Sequence, residues 1–361
     1  MILGEWKVVK VIDIKKTKDP NEPPPPPILY KIEYNGYIFK QNHVCEDKLS
    51  YCKFVDKTDK YASGILYLGK TTQFKIENDS LKIFSLSSNM WKSKKIFSLT
   101  PDTLILLNSD STLVKYVKPV YHVNEKLSFD KIIVSSSGCF GSCSIGDIMI
   151  EKSGKVYYYG VKFNTINGYY TSNIPSSKYQ EIEYDFKKSN IDTLATWYHA
   201  SRTDDEEISV TFIKDGRIYK TISDYGHESP PDFFWAYWPV RFLYQQLKLA
   251  KIQKDINGYK NRFVAFENKQ AICKLSDSES FYLNNLLLFH SKTTQEKFES
   301  KYKIQYWQND TEQTIYTDGR FFRIKNKNQS ITLDLGYNFL EKNDLIKKFI
   351  PKPQSMSIWV F

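Results

Sequence analysis

The 361-residue sequence lacks several features that would point directly to a function. It has no run of about 18 apolar residues, so no transmembrane helix is predicted. It contains no P-loop, no dinucleotide-binding glycine motif, no Gly-x-Ser-x-Gly nucleophile elbow and no His-Glu-x-x-His zinc motif. These absences argue against nucleotide-dependent enzymes, serine hydrolases and zinc proteases.

The chain is basic, but no single segment is strongly basic. The formal net charge is +10 and the pI is about 9.0, yet the lysines are spread through every segment without a block of about five like charges. This distribution is typical of a solvated surface and argues against nucleic acid as a partner.

The first six residues contain no basic segment followed by an apolar stretch, so no signal peptide is predicted. As written, the sequence predicts a cytoplasmic protein. If an export signal has been removed from the N-terminus, the prediction changes to the periplasm or the cell envelope.

Short strand-like segments dominate the first third of the chain. Tyrosine (26) and phenylalanine (23) are abundant while alanine is scarce, a bias that favours β-strands. Evenly spaced strands without a helical pattern predict a closed antiparallel barrel over residues 1–120. Asn35-Gly36 between two alternating segments predicts a hairpin turn, and the five prolines at 23–27 predict a polyproline loop.

Two residues of the first predicted strand carry a resemblance to a known family. Gly4 and Trp6 form a Gly-x-Trp pattern, which is followed by a meander of strands and a last strand with a basic residue. The first third of the chain thereby resembles the lipocalin-like barrels of Bacteroidetes bacteria. The resemblance implies that Trp6 packs at the closed end of the barrel. It also implies that Lys115 or Lys118 lies over the tryptophan ring in a cation–π contact.

Strand and helix patterns alternate over residues 127–252. A strand, a hairpin around Ser153-Gly154, helical segments, a hairpin around Asp215-Gly216 and a helix beginning at Pro239 are predicted in that order. This order predicts an α+β domain with an antiparallel sheet, and residues 255–361 predict a small α+β C-terminal region. The predicted fold class is therefore a multidomain, β-rich chain, with an antiparallel lipocalin-like β-barrel followed by α+β domains with antiparallel sheets.

A series of short motifs runs in order through the central segment: Cys139-Phe140-Gly141-Ser142-Cys143, Tyr158-Tyr159-Gly160, Tyr198, Arg202-Thr203-Asp204, Lys220, Asp224-Tyr225-Gly226, Pro230-Pro231 and Leu243-Tyr244. Through these motifs the segment resembles an uncharacterised bacterial family, domain of unknown function 6438. Many relatives carry a proline after the second cysteine, where this chain has Ser144. The family has no established activity, so the resemblance implies architecture rather than chemistry.

Cys139 and Cys143 are the first candidates for chemistry. Three residues separate them, one more than in a typical redox pair, and no second pair lies at zinc-binding spacing. Cys139 could act as a nucleophile if the fold placed His199 or His227 beside it. We favour a structural role, either as thiols that pack the loop or as a short-loop disulfide. The alternatives are a redox pair, a nucleophile, a metal ligand and a ligand contact through the glycine-rich backbone.

Two polar groups further along are weaker candidates. Asp204 opens an acidic run that could bind calcium, but the run lacks the ligand spacing of an EF-hand loop. Asp224 and His227 could form an acid/base pair. We interpret both groups as turns with exposed polar side chains.

The remaining cysteines do not define a site. Cys45 and Cys52 could form a second disulfide and leave Cys273 unpaired, or all five cysteines could be free thiols in a reducing compartment. His43 beside Cys45 suggests metal ligands, but a fourth ligand is missing, so we interpret this segment as a solvated loop. No metal site and no cofactor are predicted.

The sequence as a whole predicts a non-catalytic binding or interaction protein. The barrel would hold a small apolar ligand, and the downstream domains would offer a surface for a protein partner. The alternative is a thiol-dependent redox or hydrolytic enzyme that uses Cys139 and Cys143. A barrel interior filled by side chains would remove the ligand, and sulfurs bonded to each other would remove the free nucleophile.

Overall fold

The computed structural model describes residues 2–14, 34–55, 64–108, 112–253, 262–308, 311–326 and 329–352. The proline run at 23–27 lies outside these ranges. Within them the protein is mostly β, with a closed N-terminal antiparallel barrel followed by two further sheets, so the predicted fold class is confirmed. None of the helices in the described ranges is long and apolar enough to cross a membrane.

Eight strands form the barrel: β1 (Gly4–Asp13), β2 (Gly36–Phe39), β3 (Val44–Val55), β4 (Gly64–Glu77), β5 (Ser80–Ser85), β6 (Met90–Leu99), β7 (Thr103–Leu107) and β8 (Thr112–Val117). Strands adjacent in sequence pair antiparallel, and β1 also pairs with β8, which closes the sheet. Closure removes the exposed strand edges that would otherwise recruit other chains.

Large side chains occupy the barrel interior. The buried interior residues are Ile2, Trp6, Val8, Tyr37, Phe39, Cys45, Phe74, Leu81, Ile83, Leu104, Leu106, Val114 and Tyr116. An eight-stranded barrel is just wide enough for such side chains to fill it. This filling counts against the small apolar ligand that the sequence predicted for the barrel.

The tryptophan of the first strand has the packing role that the lipocalin resemblance implied. Trp6 is fully buried, and its Nε1 donates a hydrogen bond to the Ile2 carbonyl at 2.6 Å. Of the two candidate lysines, Lys118 places its Nζ 5.4 Å from the centre of the tryptophan ring. Lys115 does not take this role, because its neighbours in β8, Val114 and Tyr116, point inward and Lys115 therefore points outward.

The hairpin predicted at Asn35-Gly36 is wrong. Gly36 is the first residue of β2 and pairs with Lys7 of β1, so it lies within the barrel wall. Glycine is needed here because a Cβ atom would lie 2.8 Å from the Trp235 ring. Gly36 therefore permits close packing of β2 against Trp235 and is not part of a hairpin turn.

The segment predicted as a solvated loop with metal-like residues is strand β3. Cys45 is buried inside the barrel, and Cys52 packs against the core of the central sheet. Both are free thiols, and burial raises the pKa of each, to about 11 for Cys52. They are apolar packing groups.

The central sheet contains β9 (Lys131–Ser136), β10 (Ile145–Glu151), β11 (Lys155–Lys162), β12 (Gly168–Asn173), β13 (Trp197–His199), β14 (Glu207–Lys214), β15 (Arg217–Tyr225) and β16 (Ala250–Lys251). Its strand order is β13-β15-β14-β9-β10-β11-β12-β16, and all pairs are antiparallel except β13 with β15. The hairpins predicted at Ser153-Gly154 and Asp215-Gly216 are both present.

Two helices cover one face of the central sheet. Helix α1 (Ser176–Lys188) follows Pro175, and helix α2 (Pro231–Arg241) contains the aromatic run from Phe233 to Trp238. The predicted helix start at Pro239 is wrong, because Pro231 opens the helix at a position where proline is favoured. The segment around Leu194, predicted to be helical, contains a 3₁₀ turn (Ile191–Thr193) followed by β13.

The third sheet contains β17 (Ala265–Glu267), β18 (Ala271–Lys274), β19 (Lys292–Thr294), β20 (Tyr302–Gln308), β21 (Thr311–Thr317), β22 (Phe321–Asn326), β23 (Gln329–Asp334) and β24 (Ile350–Pro351), in the order β19-β23-β22-β21-β20-β17-β18-β24. Helix α3 (Asp277–Phe289) begins with a capping box in which Ser276 and Glu279 satisfy each other's backbone N–H groups. Helix α4 (Phe339–Lys342) follows the last long strand.

The central sheet is buried on both faces because its residues alternate in direction. Ile132 and Ile148 pack on α1 and α2, whereas Ile133 and Met149 pack against α3 and the third sheet. The third sheet therefore shares a core with the central one, and the division into three domains, 1–120, 127–252 and 255–361, stays a prediction.

Candidate functional site

Four segments converge at one end of the central sheet, which we call the loop end. They are the cysteine loop (137–144), the acidic loop (200–206), the turn at 225–229 and strand β13. Phe140 N donates to the Asp204 carbonyl at 3.2 Å, which joins the cysteine loop to the acidic loop. Gly226 N donates to the Glu206 carbonyl and Ala200 N donates to the Tyr225 carbonyl, each at 3.0 Å, so the turn is joined to the acidic loop. The loop end therefore gathers four of the eight motifs that the sequence singled out.

The two cysteines of the loop are bonded to each other. The Cys139–Cys143 disulfide has a Cα–Cα distance of 5.5 Å. Of the roles left open by the sequence, the structure therefore shows the short-loop disulfide. A thiolate nucleophile or metal ligand at Cys139 is excluded in this state because its sulfur has no free valence.

The disulfide loop presents one large apolar side chain to solvent. Phe140 is 88% exposed, and Gly141 and Ser142 beside it are also exposed. The disulfide and the backbone bond to Asp204 hold the loop on both sides of this phenylalanine. Phe140 is thus displayed on a constrained loop with no packing role in the fold.

A ladder of stacked rings lies on the edge strand of the same end. The Trp197 ring stacks on His199 with 4.8 Å between centroids, and His199 stacks on Tyr225 at 4.7 Å. Trp197 is 59% exposed and His199 is also exposed. No local sequence pattern predicts this ladder, because the ring that completes it, Tyr225, comes from a separate strand.

Arg202 connects the segments of the loop end. Its guanidinium pairs with Asp205, lies 3.8 Å from Glu228 and donates to the Gly226 carbonyl at 2.8 Å. Asp204 is exposed, with a positive φ of 71°, a conformation that aspartate tolerates in turns. Within the described ranges no group of three or more His, Cys, Asp or Glu side chains is arranged to hold a metal ion.

Asp224, a candidate general acid or base, stabilises the turn before α2. It is fully buried and accepts hydrogen bonds from the backbone N–H groups of Glu228 and Ser229, the Ser229 hydroxyl and the Tyr237 hydroxyl. These bonds fix the turn that leads into α2. The turn is present, but the predicted exposure of its polar side chains is wrong for Asp224, because its carboxylate is enclosed by these donors.

His227 takes part in a neighbouring buried network. Its Nε2 lies 3.2 Å from a Glu206 carboxylate oxygen, and its Nδ1 lies 3.0 Å from the Tyr237 hydroxyl. Glu206 also accepts two hydrogen bonds from Arg241, at 2.8 and 2.7 Å. Burial alone would raise the pKa of Glu206, but the charge of Arg241 and the hydrogen bonds outweigh it, so the pKa lies below its ordinary value. Both ring nitrogens of His227 are thus engaged inside the protein.

Two small cavities lie near these elements. One, of about 20 Å³, is lined by Lys48, Lys70 and Lys188 between the barrel and helices α1 and α2. The other, of about 10 Å³, is lined by Ser144, Tyr158 and Arg241 behind the cysteine loop. Each has room for about one water molecule. Neither of these two cavities could enclose an organic substrate.

Several central motifs have roles in packing or capping. The Tyr158 and Tyr244 rings stack face to face, 4.1 Å apart and 5° from parallel. The ammonium group of Lys220 donates to the carbonyls of Ile191 and Leu194, which closes the 3₁₀ turn. Phe140 differs from these residues because its side chain contributes no such contact.

The central segment matches one family model. Residues 130–244 match the family model Domain of unknown function (DUF6438). This match confirms the resemblance predicted for that segment. The closed N-terminal barrel fits a lipocalin-like fold, whereas its Bacteroidetes type stays a prediction.

The other comparisons add no functional information. No curated protein matches the chain. A crystal structure of the Helicobacter pylori beta clamp bound to a DNA ligase peptide is 8% identical over 82% of this chain and 89% of that chain, with a TM-score of 0.13. A score this low does not support a common fold.

Proposed function

We propose that this protein is a non-catalytic binding protein that holds a partner protein against the loop end of its central sheet. The observation that carries the proposal is the 88% exposure of Phe140 on a loop closed by a disulfide. A constrained loop loses little conformational entropy when it binds, so an apolar side chain that it displays can contribute most of its burial energy to an interface.

The exposed residues of the loop end have the composition of an interface centre. Trp197 and His199 offer exposed ring faces, and the half-exposed Arg202 pairs with the carboxylate of Asp205. Aromatic residues and arginine are enriched among the residues that dominate binding energies. An aromatic surface with a charged rim is the usual arrangement of such contacts.

The polar residues that could have taken part in catalysis are buried, which also favours a binding function. Asp224, Glu206 and Arg241 are buried and hydrogen-bonded to one another or to backbone. The exposed part of the loop end thus offers shape and apolar area, while its titratable core stabilises the scaffold. These properties favour recognition over chemistry.

Site-specific cross-linking tests the proposal. A photoreactive phenylalanine analogue is placed at position 140 in the full-length protein and irradiated in the native host. We expect a discrete cross-linked protein. The same analogue at Phe54, which is 68% exposed on the barrel, serves as the matched control and should not give that product.

Affinity measurements with the purified partner then show whether position 140 contacts the partner directly or only lies near it. We expect Phe140→Ala and Trp197→Ala each to weaken binding of the cross-linked partner by about thirtyfold, the loss typical of a central aromatic residue. Phe54→Ala should leave the affinity unchanged. Equal cross-linking from positions 140 and 54, or unchanged affinity in both loop-end variants, would contradict the proposal.

A further inference from the structure

In the described ranges, the contacts between the barrel and the central domain come from the start of β1 and from β2, β3 and β4. Cys52 and Ile65, on β3 and β4, pack against the core of the central sheet, and Gly36 at the start of β2 lies against Trp235. In an eight-stranded barrel, β7 and β8 lie opposite β3 and β4. The wall formed by β6, β7, β8 and the end of β1 therefore faces away from the central domain. We call it the outer wall.

Strand pairing brings apolar side chains together on the outer wall. Ile12 pairs with Leu113, and Leu113 pairs with Leu107. Ile105 occupies the adjacent row, and Val9 and Phe97 lie at irregularities of β1 and β6. Phe97 is 63% exposed, Val9 53% and Ile12 41%. The outer wall is thus an apolar surface that extends across four strands.

Lysines are interspersed with these apolar residues. Lys10 lies directly opposite Lys115 in the β1–β8 pair, and Lys95 pairs with Leu107. In the described part of the chain, none of these three lysines takes part in an ion pair. Like charges placed directly opposite on neighbouring strands repel each other. A bound anionic surface would relieve that repulsion.

We propose that the outer wall docks on a lipid surface that carries anionic headgroups. The closed barrel offers no strand edge on this side for another chain to extend, and its convex wall forms no groove for a peptide segment. A lipid surface adapts to a convex wall: Phe97, Val9 and Ile12 enter the boundary between headgroups and acyl chains while the lysines remain at headgroup level. Charge and apolar surface therefore complement the same partner.

Vesicle sedimentation with the full-length protein tests this assignment. We expect binding to vesicles of mixed phosphatidylcholine and phosphatidylglycerol, weaker binding as salt concentration rises, and little binding to phosphatidylcholine alone. The triple variant Lys10→Gln/Lys95→Gln/Lys115→Gln should lower the partition coefficient by about fivefold for each lysine removed. Phe97→Ser should lower it further. Circular dichroism and thermal unfolding verify that each variant remains folded.

A charge-matched control distinguishes the outer wall from the overall basic charge. Lys269→Gln/Lys274→Gln/Lys297→Gln removes three exposed lysines from the C-terminal region and should bind like the unmodified protein. Equal losses in the two triple variants would overturn the proposal, because they would show a general charge effect. It would also be overturned by a lack of binding, by equal binding to both vesicle types, or by a dimer that dissociates in Phe97→Ser.

Discussion

Glu206 and Arg241 form a two-bonded ion pair inside the central domain, with nitrogen–oxygen distances of 2.8 and 2.7 Å. Arg241 is 8% exposed, and its guanidinium also lies over the rings of Trp238 and Phe242. The pair connects the acidic loop to the end of α2 and thereby holds the acidic loop in position at the loop end.

Arg241→Ala should destabilise the protein by about 3 to 5 kcal/mol, because it leaves the Glu206 carboxylate buried without its main partner. The double variant Glu206→Leu/Arg241→Met should be less destabilised than Arg241→Ala, since it leaves no unpaired charge. Urea unfolding monitored by fluorescence measures both free energies. A double variant as unstable as the sum of the single variants would contradict this interpretation.

The same pair should contribute to acid sensitivity. The pKa of Glu206 is lowered in the folded protein from its ordinary value of 4.5, so the unfolded state binds the proton more readily. The contribution of Glu206 to stability is therefore complete above that ordinary value and is lost as the pH falls below it.

A second buried carboxylate should have the opposite pH dependence. Asp147 is bound by Arg262 at 2.9 and 3.1 Å, and Asp277 also pairs with Arg262 at 3.0 Å. Burial and the charge of Asp277 raise the pKa of Asp147 to about 6, even though Arg262 opposes the shift. The folded state therefore binds the extra proton, and stability falls as the pH rises from the ordinary carboxyl range through about 6.

We expect the free energy of unfolding to decrease by up to about 3 kcal/mol over that interval because of Asp147. Asp147→Asn should flatten the decrease, and Asp204→Asn, at an exposed carboxylate, should leave it unchanged. Urea unfolding at a series of pH values gives both slopes. Parallel curves for the unmodified protein and Asp147→Asn would show that another group titrates.

Loss of the Cys139–Cys143 disulfide should have a modest effect on stability. The bond closes a loop of five residues, so its removal in Cys139→Ala/Cys143→Ala should cost about 2 kcal/mol, less than a long-range disulfide would. The fold should persist, while cross-linking through position 140 should weaken because the loop is no longer constrained. Comparison of thermal unfolding with and without reductant measures the first effect.

The disulfide also allows a test of the redox alternative. We expect the reduced protein to reduce insulin disulfides no faster than a simple dithiol at the same concentration. A substantially higher rate that disappears in Cys139→Ala would support a thiol-dependent function and contradict a purely structural role for this pair.

Lys118→Met should destabilise the barrel by about 1 kcal/mol because it removes the cation over the buried Trp6 ring. Lys115→Met is the matched control. It should be neutral or slightly stabilising, since Lys115 faces Lys10 across the outer wall. Urea unfolding measures both, and the reverse order of effects would assign the cation–π contact to Lys115.

Lys115 and Lys118 show which features of the barrel the sequence could predict and which it could not. The pattern of short strands was sufficient to predict the barrel, because strand period and turn residues are local properties. The choice between Lys115 and Lys118 depends on which residues of β8 point inward, and that depends on the pairing of β8 with β1, about 100 residues earlier in the sequence. Such register is a tertiary property that no local pattern contains.

The loop end illustrates the same limit. The motif around Cys139 correctly indicated a distinctive loop, and the hairpins at Ser153-Gly154 and Asp215-Gly216 were predicted correctly from their turn residues. In contrast, Glu206 and Arg241 lie in separate elements and have no spacing signal. The short edge strand that carries Trp197 was not predicted, because so few residues show no recognisable period. Sequence therefore predicted the elements better than the contacts between them.

The final prediction concerns the junction between the barrel and the central domain. Gly36 in β2 faces Trp235 of α2, and a Cβ atom at Gly36 would lie 2.8 Å from the indole ring and 2.9 Å from the Lys48 side chain. Trp235 is 6% exposed, and its Nε1 donates to the Tyr34 carbonyl at 2.7 Å, so the ring cannot turn away without losing a buried hydrogen bond. Gly36→Ala should therefore destabilise the protein by about 1 to 3 kcal/mol through overpacking.

A double-variant cycle identifies the clash as the cause. Trp235→Leu alone should also destabilise, because it creates a cavity and leaves the Tyr34 carbonyl without its donor. In the combination Gly36→Ala/Trp235→Leu the new methyl group occupies space vacated by the indole, so the total loss should be smaller than the sum of the single losses by about 1 kcal/mol. Strict additivity would instead assign the cost of Gly36→Ala to the backbone of β2. The barrel would then be joined to α2 by contacts that do not depend on the close approach of these two residues.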